Sequence, residues 1–215
     1  MESSMFKPSS MDLIRAGLQD LDRARALFGQ LKADAIADGR CAELLGVLAH
    51  ACDPDVALGN FVDIVNAMQS SRRDLDRVIP DAGALRRLIT VLGASDAMGK
   101  FMRFRPELVE AASVGSADSH LFNRAQRRAR LLMEVGADPD DQAMPVASKD
   151  LAEAATALRA GYRRQLAAII AQDVMAEDPI RIQPTISSEL SDLADAALEG
   201  ALAIARHETE GSEHV

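Results

Sequence analysis

Six side chains late in the sequence, Leu158, Tyr162, Leu166, Ile169, Ile170 and Val174, recur at intervals of three and four residues. That spacing puts them on one face of a helix and excludes a strand, whose faces alternate every second residue. The period predicts a helix over Leu158 to Ala176, stopped by Asp178-Pro179. A second helix is predicted from Ser187, as its cap, to Arg206. Its apolar stripe is Leu190, Leu193, Ala194, Ala197, Leu198, Ala201 and Ala205, with Glu189, Asp192, Asp195 and Glu199 on the outer face.

The remainder reads the same way. Met11 to Phe28 forms one periodic segment through Ile14, Leu18, Leu21 and Phe28, and Cys41 to Ala51 forms another. Asp53-Pro54 is a start signal, because Asp caps and Pro suits the first helical position; Leu58, Phe61, Val62, Val65 and Met68 follow as a stripe. A short helix is expected over Arg72 to Ile79. Pro80-Asp81 opens a helix through Leu85, Leu88, Ile89 and Leu92, with Gly93 suited to the C′ position just past its end. Ser95 and Pro106 start two more. Residues 113–119 and 136–144 are loops around a helix from Leu121 to Val135, with Phe122, Ala125, Ala129, Leu132 and Met133 on one face. No segment alternates at period two. The expected fold is all-α, an irregular bundle of eight or nine helices without a sheet. Residues 1–10 form a disordered start, 11–206 a helical region and 207–215 a frayed tail.

Composition narrows the function classes. Aromatics are 3% and Trp is absent, so the core is built from Leu, Ile, Val, Met and Ala. A net charge of -9 argues against nucleic acid as the main partner. No apolar run approaches the ~18 residues that span a bilayer, and residues 1–10 lack the pattern of a signal peptide. Cys41 and Cys52 make no disulfide framework and suit a cytoplasmic protein.

No catalytic, cofactor-binding or metal-ligating residue is assigned. His50, His120, His207 and His214 are not paired at ligand spacing, and there is no phosphate loop or nucleophile elbow. Asp138 and Asp140 flank Pro139 with no strand to align them, so they read as a solvated turn. Arg124, Arg127, Arg128 and Arg130 cluster on one helix, and Arg163 and Arg164 on another. Such clusters receive phosphates or acidic partners, but the abundant acids here make a solvated, ion-paired face the simpler reading.

Five stretches carry a resemblance by their joint order: Asp53–Leu58 (DPDVAL), Leu85–Ser95 (LRRLITVLGAS), Arg103–Val109 (RFRPELV), Leu158–Leu166 (LRAGYRRQL) and Glu189–Glu199 (ELSDLADAALE). Together they resemble the N-terminal region of the glutamine synthetase adenylyltransferase/adenylyl-removing enzyme family, of actinobacterial type, over roughly residues 11–206. The resemblance implies a nucleotidyltransferase that adds AMP to glutamine synthetase and removes it, using ATP and Mg2+ or Mn2+ under a nitrogen-signalling protein. In that family this region leads into a Gly-Lys-x-Gly turn and a Ser-Asp-x-Asp strand that holds the metals. Neither motif occurs here, so no catalytic residue carries over and the chain is expected to be inactive without the nucleotidyltransferase domain. Gln172 stands where the family usually has Arg, which removes a fixed charge. The other reading is a stand-alone helical interaction module without catalysis. The resemblance also implies that part of the apolar surface of the last two helices lacks a partner within this chain and packs, in the full enzyme, against the absent sheet.

Overall fold

The computed structural model describes residues 7–31, 38–70, 79–113 and 122–212. Among them are ten helices and no strand, as the periodicity requires. The chain divides into two compact units, Met1–Ser116 and Ala117–Val215.

The first unit contains α1 (Ser10–Arg15), α2 (Leu21–Gln30), α3 (Asp38–Leu48), α4 (Pro54–Ser70), α5 (Ala82–Ala94), α6 (Asp96–Met102) and α7 (Pro106–Ser113). The single helix expected over Met11 to Phe28 is two, and this split adds to the helix number. Gly17 takes a left-handed φ of 80°, open to glycine at little cost. Its N–H donates to the Ile14 carbonyl, and the Leu18 N–H donates to that of Leu13, which closes α1. The break resets the helical phase. Leu13 and Leu18 are buried, while Ile14, expected on the apolar face, is exposed. Order also begins earlier than expected, because Ser9 caps α1 through a reciprocal bond with Asp12.

The α4 stripe is buried as read, from Leu58 to Met68. Asp53 accepts from the Val56 N–H at 3.0 Å at its start. Asp81 caps α5 through the Ala84 N–H at 2.7 Å, and Ser95 caps α6. Helix α5 is the centre of this unit, packed against α3, α4, α6 and α7. Gly93 is not the C′ residue beyond the helix but sits within its last turn. It is buried inside α5, where an added Cβ would lie 2.9 Å from the Ala51 Cβ and 3.1 Å from the Asp53 carbonyl. Its role is close approach of α5 to the segment that enters α4. The helix expected over Arg72 to Ile79 lies outside the described residues, except for a buried Ile79.

The second unit contains α8 (Arg124–Glu134), α9 (Leu151–Met175) and α10 (Pro179–Ser212). Helix α9 starts seven residues before Leu158. Asp150 caps it, and the intervening segment is rich in Ala, which favours helix without contributing a periodic stripe. Asp178-Pro179 ends one helix and starts the next: Asp178 accepts from the N–H groups of Ile180 and Arg181. Helix α10 runs through Pro184 to Ser212, so Ser187 is interior rather than a cap, and residues 207–212 are helical. The Gly136 turn closes α8 with the same bond pair as Gly17.

Candidate functional site: the arginine and acid seam of the three-helix unit

Helix α8 begins at Asn123, whose side chain and that of Gln126 form a reciprocal cap. Its arginines lie three and four residues apart, so one face carries several. The acids of α10 have the same spacing. Arg124 meets Asp195 at 2.9 Å. Arg128 meets Glu199 twice, at 2.8 and 2.7 Å, the forked geometry of guanidinium and carboxylate. Both pairs join residues 71 apart, so α8 and α10 run in the same direction. Arg128 also donates to the carbonyls of Pro139 and Asp141, tying down the loop after α8. The Glu199 contact pushes the Arg128 pKa up.

Arg127 differs from its neighbours. Its side chain is 2% exposed and that of Glu189 7%, and they meet at 3.1 Å. Arg127 Nη1 donates to Gln165 Oε1 of α9 at 3.2 Å, while its Nε has no partner among the described residues. One guanidinium therefore joins all three helices. Burial lowers the Arg127 pKa, opposed by Glu189 and Asp192. Burial likewise raises the Glu189 carboxyl above its ordinary range, with Arg127 pulling it down.

These contacts correct two expectations. The arginine cluster is paired, but Arg127 is buried rather than solvated. The supposed outer face of α10 is instead its contact with α8, since Glu189 is buried and Asp195 and Glu199 are engaged. The apolar stripe is divided as well. Leu193 is buried with Ile186, Ala196, Ala203 and Ile204, whereas Leu190, Leu198 and Leu202 are 41%, 65% and 54% exposed. Likewise on α8, Leu131 and Leu132 are buried while Ala125 and Met133 are exposed. The signal that could have found the seam was the matched three- and four-residue spacing of opposite charges on the two helices.

The other sequence candidates are dispersed. Asp138 accepts from the Asp140 N–H at 2.9 Å, an exposed turn, as read. Asp141 accepts from the N–H groups of Met144 and Ala143, which hold its carboxyl below the usual range. Arg164 pairs with Glu134 at 2.6 Å, and Arg130 stacks on Phe122 at 3.7 Å. His50 lies in the turn after α3 and His207 within α10; His120 and His214 fall outside the described residues. Cys41 is buried and Cys52 exposed. Gln172 buries its Oε1 without a partner among the described residues. Among those residues no three His, Cys, Asp or Glu side chains converge on a metal position, and no helix is long and apolar enough to cross a membrane.

No family model and no solved structure matches the chain. Curated proteins do. All 215 residues align at 99% identity with 20% of a Bifidobacterium longum subsp. infantis protein named bifunctional glutamine synthetase adenylyltransferase/adenylyl-removing enzyme. A Bifidobacterium longum protein of the same name is 82% identical over the whole chain, again 20% of its length. A Cutibacterium acnes protein of that name is 33% identical over 92% of the chain and 19% of its own length. The chain belongs to this family, as its N-terminal region. It spans about a fifth of the curated adenylyltransferases it matches. Within the three-helix unit the α8–α10 seam pairs arginines with acids, and those pairs fix how three helices meet.

Proposed function

We propose that this chain is the N-terminal helical part of an enzyme that attaches AMP to glutamine synthetase and removes it. The observation that carries this is the 99% identity over all 215 residues to a protein bearing both activities in its name. Nucleotidyl transfer, with its ATP and Mg2+ or Mn2+, belongs to the portion of the polypeptide outside this chain. A nitrogen-signalling protein sets its direction, and the enzyme works in the cytoplasm. The helical region described here supplies folded structure rather than reacting groups.

The test compares this chain with the full-length Bifidobacterium longum subsp. infantis protein. Each is incubated with glutamine synthetase, ATP and Mg2+, and subunit mass reports AMP gained or lost. The expected result is transfer and removal by the full-length protein and neither by the 215-residue chain. Turnover by the chain alone would overturn the division of labour. A full-length protein inactive in both directions would overturn the reading itself. Retention of glutamine synthetase on the immobilised chain would turn it into a substrate-docking module.

A further inference from the structure

Helix α10 is apolar on two sides. Leu193, Ala196 and Ala203 face the core of its unit. On another side Leu190, Ala194, Leu198, Ala201, Leu202 and Ala205 are all exposed. At 100° per residue they fall within one arc of about 120°. No charged residue interrupts that arc between positions 190 and 205, in a sequence that is 27% charged. The acids of α10 lie on its flank, where Asp195 and Glu199 are held by Arg124 and Arg128. A solvated helix face is polar, and a helix apolar on two sides belongs between two layers. The intervals along the exposed arc, four at 190–194–198 and again at 201–205, are helix-packing intervals, and the alanines admit close approach of another backbone.

We infer that this arc is the docking seam for a helix supplied by the part of the full-length polypeptide outside this chain. The size of the seam selects that occupant. From 190 to 205 it is roughly 22 Å long and about one helix, ~10 Å, wide. Such a footprint falls well short of the ~500 Å² per partner that a stable interface between separate molecules needs. A covalently linked helix needs no such area, because tethering supplies an effective concentration of about millimolar. The curated relatives provide the tether, since this chain accounts for 20% of their length. The complementary surface is an uncharged ridge of large aliphatic residues at three- and four-residue intervals, which fills the spaces over Ala194, Ala201 and Ala205.

The experiment places one cysteine on the seam as Leu198→Cys, at a position whose side chain the fold leaves exposed. It is made in the 215-residue chain and in the full-length Bifidobacterium longum subsp. infantis protein. Maleimide labelling rates are read by mass spectrometry on the peptide that carries residue 198. The expected result is fast labelling in the short chain and labelling at least about tenfold slower in the full-length protein, where the seam must open first. Equal rates in the two proteins would overturn the inference. Slow labelling of the short chain that speeds up on dilution would also overturn it, by making a second copy the occupant. The readout does not depend on AMP transfer, so its failure leaves the proposed activity standing.

Discussion

Replacing Arg127 with Met keeps an unbranched stem of similar reach and removes the guanidinium. Glu189 then loses its partner at 3.1 Å and Gln165 the donor at 3.2 Å, both in a setting where the Arg127 and Glu189 side chains are 2% and 7% exposed. Breaking a buried pair from one side costs about 3–5 kcal/mol, because the charge left behind is unpaired. In a unit of the size of residues 117–215, each kcal/mol moves the melting midpoint by roughly 4–8 °C. Arg127→Met should therefore lower the midpoint of that unit by at least roughly 12 °C in a thermal melt followed by circular dichroism. The cost has a definite pH sign. Burial already raises the Glu189 pKa, so the folded state holds that proton more readily than the unfolded chain. Without Arg127 the raising is greater, and the penalty is full above the folded pKa and fades as pH falls through it. The variant should lie nearer to the parent at about pH 5 than at about pH 8. The double variant Arg127→Met/Glu189→Met removes both charges and should recover most of the loss. A single variant within about 2 °C of the parent, or a double variant no better than the single, would refute the assignment of a desolvated pair.

Three further outcomes follow from local geometry. Gly17→Ala forces a side chain into a left-handed φ of 80° and to 3.2 Å from Pro54 Cγ; urea unfolding should show a loss of about 1–2 kcal/mol. The Asp141 carboxyl is held low by two backbone N–H bonds, so the stability it adds is present above its unfolded pKa and is lost as pH falls through its folded pKa. An NMR titration should place its midpoint below that of an unbonded Asp, and Asp141→Asn should remove that part of the acid limb. Leu193→Ala should cost about 2–5 kcal/mol, whereas Leu198→Ala in the 215-residue chain should stay within about 0.5 kcal/mol, read by urea unfolding.

Helices were legible where one physical signal dominated. Asp53-Pro54, Pro80-Asp81, Ser95 and Pro106 each combine a capping or first-turn residue with a following stripe, and each begins a helix as read. The segment from Met11 to Phe28 failed because a periodic stripe is blind to a glycine that leaves helical φ, and Gly17 does so in mid-stripe. The start of α9 was missed because Ala-rich sequence favours helix without marking a face. Ser187 has only its residue type to mark it as a cap, whereas Asp178-Pro179 supplies both a cap and a first-turn Pro. The seam was missed for another reason. The rule that charged residues face solvent fails when a second helix presents opposite charges at the same spacing, as α8 and α10 do.

Helix α10 shows why burial of apolar area cannot by itself set how a helix is rotated. Its exposed arc holds Leu190, Leu198 and Leu202, while its buried side holds only one leucine, Leu193. Ile186 and Ile204 stand beside Leu193 on the buried side, so each face carries three large aliphatic residues and hydrophobicity does not choose between them. Close approach decides against the exposed arc. Gly200 lies under Leu158 of α9, where a Cβ would come within 2.7 Å of Leu158 Cδ1, and Gly161 of α9 lies similarly close to Leu131 and Glu134. Large side chains do not fit at those crossings. Charge pairing decides in the same direction. Turning α10 by one residue, about 100°, would carry Glu189 away from Arg127 and Glu199 away from Arg128, and leave buried charge unpaired. Small residues and a buried ion pair thus select one rotation of a helix that is apolar on two sides, and that rotation leaves the leucine-rich arc for another partner.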